Sequence, residues 1–305
     1  MRERVGIALL VAFVALDIVL VALAVRHTSA PPPPAPKGVA HVSPSIVGAE
    51  SDAPSPSPSS PSALANPGRS DDPMLAVTSD GTVLRATRGS CDDGTSPVVD
   101  VSKKRGRSLS SGSVDGMTQA LRVITNSDDD LTIVGLDSNC HVATFSSKDG
   151  GGSWSSSDGA AGTWYPSETP RKFVVFSPGG RRRTPCSPQA LAPVDSGVAR
   201  LLCKDGRVSG TSDAAISWLT LGKLDGGTAM AFQTPGDGYA VAVQDDCDAA
   251  LMRTKDGGTS WNEVSCLKGG APRAVAFTGD TVVAQAGDRL QISTDGGSTW
   301  HRIRT

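Results

Sequence analysis

Short runs of β-branched and other apolar residues, separated by turns rich in Gly, Asp and Ser, recur along the chain from Met74 onward. The last group comprises Arg273–Phe277, Val282–Gln285 and Leu290–Ser293, followed by Thr299–Ile303. Such short runs bounded by turn residues are typical of β-strands. The same order of four runs begins again at Met230 and at Leu121. The pattern therefore predicts successive units of four antiparallel strands.

The N-terminal segment has a different pattern, because residues 5–25 are apolar apart from Gly6 and Asp17. At ~1.5 Å per residue this run would extend about 31 Å, the thickness of a bilayer's hydrocarbon core. We predict a signal anchor, that is, a transmembrane helix, over residues 1–27. The alternative is a secretory signal peptide that is cleaved, and in either case the rest of the chain is exported.

Residues 28–73 are rich in Pro and Ser, including the runs Pro31–Pro34 and Pro54–Pro58. Such a segment buries too little apolar surface to fold, and its prolines favour extended conformations. We predict a disordered linker over 28–73 and one domain over 74–305. The whole chain has a net charge of -2, so no global electrostatic footprint for nucleic acid is present.

A segment of eight residues with the pattern S/T-x-D-x-G-x-S/T-W recurs in this domain. Three copies, at 147–154, 254–261 and 293–300, superimpose without gaps. The copy at 211–218 keeps its Asp and Trp but has Ala in place of both glycines, and 102–109 keeps only the frame. Most copies are spaced about 40 residues apart. A period of this size indicates a propeller or another repeat array.

This pattern resembles the Asp-box, or BNR repeat, of sialidase-like β-propellers. The resemblance implies an all-β propeller. The runs of β-prone residues predict about five four-stranded blades, with six if part of 158–188 forms another. An Asp carboxylate can accept hydrogen bonds from its own turn, and the Trp can pack beneath that turn. We therefore predict a structural role for these residues. They are Asp149, Trp154, Asp213, Trp218, Asp256, Trp261, Asp295 and Trp300.

Six cysteines in an exported domain indicate three disulfides, for which fifteen pairings are formally possible. Four of them precede a repeat by 7 to 11 residues, which places them near the loop between the second and third strands of a blade. The other two, Cys186 and Cys266, lie at connections between blades, on the same face. We predict the pairs Cys91–Cys140, Cys186–Cys203 and Cys247–Cys266. Metal binding is the alternative, but the spacings match no zinc motif, and we predict neither a metal nor a cofactor.

The longest spacing, between the copies at 147–154 and 211–218, marks an insertion. We expect it over the cysteine-bearing face, as a candidate ligand site. Trp164 is the one Trp outside a repeat and is a candidate stacking platform for a sugar or peptide; the alternative is that it seals the insertion onto the propeller. The Arg run suits an anionic glycan, or is a solvated loop. The candidate residues are Trp164, Tyr165, Arg171, Arg181, Arg182 and Arg183.

The resemblance to sialidases stops at the repeats. Those enzymes carry an Arg-Ile-Pro type motif that is absent here, and their arginine triad and Tyr nucleophile are not recognisable. The BNR-repeat relatives of photosystem II assembly factors, which the chain also resembles, act by binding. We therefore predict a non-catalytic, single-pass membrane protein whose extracellular propeller binds an envelope protein or glycan. The alternative function is that of a divergent extracellular glycoside hydrolase with two catalytic carboxylates.

Overall fold

A computed structural model of the chain describes residues 70–102, 108–167 and 173–304. The predicted transmembrane helix and nearly all of the linker lie outside these residues. Within them, no helix has the length and apolar character needed to cross a membrane. The strands are β1 (Pro73–Val77), β2 (Val83–Thr87), β3 (Val99–Ser102), β4 (Ser110–Gly112), β5 (Gln119–Thr125), β6 (Leu131–Leu136), β7 (Val142–Ser147), β8 (Ser155–Asp158), β9 (Tyr165–Pro166), β10 (Val174–Ser177), β11 (Gly180–Arg183), β12 (Pro188–Pro193), β13 (Ala199–Cys203), β14 (Arg207–Thr211), β15 (Leu219–Lys223), β16 (Gly227–Phe232), β17 (Gly238–Gln244), β18 (Cys247–Thr254), β19 (Asn262–Cys266), β20 (Pro272–Thr278), β21 (Thr281–Ala286), β22 (Arg289–Ser293) and β23 (His301–Arg302).

These strands form six antiparallel sheets in chain order. Blade 1 is β1–β4, blade 2 is β5–β8, blade 3 is β9–β11, blade 4 is β12–β15, blade 5 is β16–β19 and blade 6 is β20–β23. Strand β1 contacts both β5 and β20, which closes the ring. The protein is a six-bladed β-propeller, so the all-β propeller prediction is confirmed. The expected five blades become six, and one of the six has three strands rather than four. Blade 3 comes from the insertion, as in the six-blade alternative.

The hydrophobic core consists of layers between neighbouring blades. Phe145 of blade 2, for example, is buried with Val101 of blade 1, and Leu251 of blade 5 with Val282 of blade 6. Successive side chains of a strand point to opposite faces of its sheet. A blade with a neighbour on each side therefore buries both faces, which accounts for its nearly continuous apolar strands.

Polar contacts fasten the first blade to the last. The Arg273 guanidinium of blade 6 donates to the Asp71 carbonyl at 2.8 Å and to its carboxylate at 3.0 Å. The Arg85 Nε of blade 1 donates to the Gln285 Oε1 of blade 6 at 3.0 Å. These side chains hold the ring closed where the chain itself does not connect the blades.

The three disulfides are the three pairs predicted from the sequence. Cys91–Cys140 links blade 1 to blade 2 across 49 residues of sequence. Cys186–Cys203 lies in blade 4 and Cys247–Cys266 in blade 5, with sequence separations of 17 and 19. Three of the cysteines are terminal residues of strands, and the other three lie in the loops between strands. The alternation of strand direction places all six on one face of the ring.

Each repeated turn is organised around its Asp. The Asp256 carboxylate accepts hydrogen bonds from the Thr254 hydroxyl at 2.8 Å, the Ser260 N–H at 2.9 Å and the Ser260 hydroxyl at 2.6 Å. The turn at 211–218 has the same three bonds to Asp213. The hydrogen bonds therefore survive the loss of both glycines in that copy.

The Trp of each repeated turn packs against the blade that precedes its own. Trp154 joins the layer between blades 1 and 2, and Trp261 the layer between blades 4 and 5. The Trp300 Nε1 donates to the Ser265 hydroxyl of blade 5 at 3.0 Å. Leu109, in the copy that keeps only the frame, lies in the layer between blades 6 and 1. The repeated turns thus attach each blade to the previous one.

The hydrogen bonds of these turns predict a loss of stability in acid. The Ser217 and Ser260 side chains lower the pKa values of Asp213 and Asp256 to about 2. Hydrogen bonds from Ser153 and Ser293, respectively, also lower the pKa values of the equivalent Asp149 and Asp295. A folded pKa below the unfolded value of ~3.9 contributes stability that is present above pH ~4 and lost as the pH falls through the folded pKa.

We therefore expect the melting temperature to fall between pH 4 and pH 2, and to fall less steeply in Asp256→Asn. Calorimetric scans at several pH values measure this slope. Asp288→Asn, a change in an exposed turn outside the repeats, is the control and should keep the wild-type slope. An equal slope in both variants would contradict the assignment.

Candidate functional site

The junction between blades 2 and 3 differs from the others. Blade 3 has three strands and carries no copy of the repeated turn. Because the Trp of each such turn packs against the preceding blade, no equivalent indole enters the space beside blade 2. The layer there has three fully buried members among the described residues, Leu121, Val134 and Leu136. Among the described residues, this is the smallest buried apolar layer of the ring.

Strand β7 is less buried on its blade 3 side than on its blade 1 side. Its residues facing blade 1, such as Phe145, are buried, whereas Val142, Thr144 and Ser146 on the blade 3 side are only half-buried. The third strands of the other four-stranded blades are mostly buried on both faces: β3 throughout, β14 and β22 at every residue but the first, and β18 at every residue but Asp248 and Arg253. We call the space beside Val142, Thr144 and Ser146 the slot.

Hydroxyl groups dominate the blade 2 wall of the slot. Ser157 lies opposite Thr144, and Ser155 opposite Ser146, in the pairing of β7 with β8. Residues directly opposite each other share a face of a sheet, so these serines lie on the slot side and are exposed. Ser156, opposite Phe145, lies on the other face. The wall therefore presents a row of hydrogen-bonding side chains.

Aromatic and basic side chains form the blade 3 wall. Tyr165 lies opposite Phe176, which lies opposite Arg181, so the three share one face. The two rings stack with centroids 4.7 Å apart and planes 5° apart. Tyr165 packs against the Leu121 layer, which shows that this face looks toward blade 2. Arg183, two residues after Arg181 in β11, lies on the same side.

Arg122 crosses the slot at its inner end. Its Nη1 donates to the Trp164 carbonyl of blade 3 at 3.0 Å. Burial lowers the pKa of Arg122 to about 10, so the guanidinium stays charged at neutral pH. With Arg181 and Arg183 it makes the slot basic. No slot-facing position of the described strands in either wall is Asp or Glu.

The structure corrects the expected role of Trp164. Its side chain is 2% exposed and packs with Val175 and Cys203 between blades 3 and 4. The indole Nε1 donates to the Asp195 carbonyl at 2.8 Å. A ring enclosed in this way has no free face for a ligand, and it seals the insertion onto the ring, as the alternative held.

The position of the arginine run is also corrected. Residues 181–183 belong to β11, where the Arg182 Nε donates to the Ala214 carbonyl at 3.4 Å and the Arg183 carbonyl accepts from the Trp218 Nε1 at 3.1 Å. Ala214 and Trp218 belong to the repeated turn of blade 4, on the face opposite the cysteines. The run is therefore a strand beside that turn, not a loop over the cysteine face. Arg171 lies outside the described residues.

Sequence reasoning missed the slot itself and several of its residues. Phe176, Arg122 and the serines of β8 carry no motif, and they meet only because blade 3 is a sheet. The available signal was the long spacing, which shows where one repeated turn is missing.

No protein-family model matches the chain. No curated protein matches it either. Among solved structures it is similar to the Aleuria aurantia lectin in complex with Fucα1-6GlcNAc, at 12% identity and a TM-score of 0.49, over 77% of this chain and 96% of that one. It is similar to YCF48 bound to D1 peptide at 13% identity and a TM-score of 0.31, over 62% of this chain and 56% of that one. A GH74 xyloglucanase from Xanthomonas campestris has 18% identity and a TM-score of 0.31, over 75% of this chain and 38% of that one. Similarities this low say nothing of what this chain binds.

Proposed function

We propose that this chain is an Asp-box propeller that binds a glycan of the cell envelope in the slot without cleaving it. In this proposal residues 1–27 anchor the chain in the cell membrane, and residues 28–73 link the anchor to the propeller on the extracellular side. Three disulfides support an oxidising compartment. The repeated turns, with their conserved bonding to Asp213 and Asp256, support the superfamily assignment.

The glycan proposal rests on the difference between the two walls of the slot. The blade 2 wall carries hydroxyl groups, and the blade 3 wall carries aromatic and basic side chains. A sugar ring has an apolar C–H face, which packs well on aromatic surface such as that left exposed by the half-buried, stacked Tyr165–Phe176 pair. Its edge carries hydroxyls, which need donors and acceptors such as Thr144, Ser157 and the Arg181 guanidinium. A site with an apolar platform and a few convergent polar groups is the usual form of a small-ligand pocket.

Binding is better supported than hydrolysis. Most glycoside hydrolases use two carboxylates that flank the scissile bond, separated by about 5 to 9.5 Å. The slot-facing positions of the described strands in both walls bear hydroxyl, apolar, aromatic or Arg side chains. The slot as described therefore offers groups that hold a sugar but no acid–base pair.

The experiment is capture of the full-length protein, in detergent micelles, on immobilised neutral and uronic-acid-containing oligosaccharides. We expect Ser157→Trp to weaken capture at least tenfold, because the indole fills the slot that no repeated turn fills. Ser156→Trp is the matched control, since it places the same indole on the other face of β8. Arg181→Ala should also weaken capture by removing a charge-assisted donor.

Several outcomes would overturn the proposal. If the protein binds none of the oligosaccharides, the glycan is not its ligand. If both Trp variants are captured equally well, the slot is not the binding site. Turnover of fluorogenic glycosides that is lost on changing one carboxylate would establish the hydrolase instead. Protease added to intact cells should release the propeller. If the propeller is protected from the protease, the proposed extracellular location is wrong.

A further inference from the structure

Strand β11 leaves an edge of blade 3 uncovered. In every other blade the chain adds a fourth strand outside the third before it turns inward. From β11 it passes instead to β12, the innermost strand of blade 4. Among the described residues, β11 therefore pairs with β10 alone.

The register shows which backbone groups face this edge. The Thr184 N–H donates to the Phe173 carbonyl at 3.1 Å, and hydrogen-bonded pairs alternate along an antiparallel ladder. The next such pair is Val175 with Arg182, so the backbone groups of Arg182 point toward β10. Those of Arg181 and Arg183 point outward. The bond from the Trp218 Nε1 to the Arg183 carbonyl agrees with this direction.

Three outward groups have no hydrogen bond to any described residue: the N–H and carbonyl of Arg181, and the N–H of Arg183. A row of this kind is a template for another strand. On one face the edge carries the exposed Arg181 and Arg183 side chains. Arg182 lies on the other face and contacts the repeated turn of blade 4. Ile216 of that turn is 75% exposed, and Leu219 at the start of β15 is 71% exposed.

We propose that β11 accepts an extended segment of a partner protein as the fourth strand of blade 3. The segment pairs antiparallel to β11, like every other strand of the ring, and places acidic residues opposite Arg181 and Arg183. Opposite charges directly across a ladder stabilise it. The residue between the two acids falls on the face of Arg182 and is apolar, because that face looks toward the turn that carries the exposed Ile216. Strand addition of this type gives affinity through the main chain and specificity through alternate side chains.

A second copy of this chain does not fit the same edge. Two β11 strands paired with each other would place Arg side chains opposite Arg side chains, and like charges directly opposite are destabilising. Charge complementarity therefore selects an acidic partner over self-association.

The probe is the peptide acetyl-Ser-Glu-Val-Glu-Ser-amide, added at millimolar concentration to the full-length protein. Hydrogen–deuterium exchange at single-residue resolution should show the Arg181 and Arg183 amides exchanging at least tenfold more slowly with peptide. The Arg182 amide, already bonded to β10, should not change. The same peptide with Lys in place of both Glu is the charge-reversed control and should leave all three amides unchanged.

N-methylation of the peptide separates strand pairing from charge attraction. In the proposed register the two Glu amides face β11 and the Val amide faces away. N-methyl-Val should therefore preserve the protection, whereas N-methyl-Glu at both positions should abolish it. Absence of protection by the Glu peptide, or equal effects of the two N-methyl peptides, would overturn the proposal. This inference is tested by amide exchange, whereas the proposed function is tested by glycan capture. Either one can therefore fail while the other holds.

Discussion

Replacement of Cys91 and Cys140 by Ser should lower the free energy of unfolding by about 4 kcal/mol. The disulfide spans 49 residues of sequence and joins two different blades. In the chain-entropy account a cross-link removes more freedom from the unfolded chain when it closes a longer loop. Urea unfolding followed by Trp fluorescence measures the change.

The matched control is the double replacement Cys247→Ser and Cys266→Ser. That pair lies within one blade and spans 19 residues, so the expected loss is about 3 kcal/mol. The interblade pair should be the more costly to remove. The reverse order would show that the contribution comes from local strain or packing and not from the length of the closed loop.

Gly297→Ala should cost about 3 kcal/mol, the second large effect. Gly297 has φ +94°, and an added Cβ would lie 2.3 Å from Leu251 Cδ2 of blade 5. The substitution therefore combines backbone strain with overpacking in the layer between blades 5 and 6. Thermal and urea unfolding of the variant measure the loss.

Gly270→Ala separates these two causes, because Gly270 has φ +103° but no atom within 4 Å of an added Cβ. It should cost about 1 to 2 kcal/mol, from strain alone. The equivalent position in the turn of blade 4 is Ala215, where the backbone adopts φ 65° within the left-handed region. If Gly297→Ala costs no more than Gly270→Ala, the turn of blade 6 relaxes in the same way and the packing argument is wrong.

The slot and the β11 edge have one structural origin. Blade 3 lacks both the repeated turn and the fourth strand that the other blades have. Without the turn, no Trp fills the space beside blade 2, and without the strand, Arg181 and Arg183 keep outward backbone groups. A glycan in the slot would contact the side chains of these residues, whereas a peptide at the edge would pair with their main chain and also place its acidic residues opposite the same side chains.

The sequence by itself determined the features that depend on local bonding or on simple strand alternation. The hydrogen bonds that close the repeated turn join residues two and four positions apart, as at Asp256, so its pattern can be recognised from the sequence alone. Its period predicts the blades. Because strands alternate in direction, the loops carrying cysteines share one face, and that was enough to find all three disulfides.

Only the tertiary structure decided what happens where the pattern is interrupted. Residues 158–188 carry no repeated turn. Their local sequence pattern does not distinguish a loop over one face from a three-stranded blade. Neighbouring blades impose the latter, because Trp164 and Val175 bury their surface against blade 4. The same packing brings Tyr165, Phe176 and Arg181 opposite the hydroxyls of β7 and β8. Contacts between blades distant in sequence create the site, and no single segment encodes them.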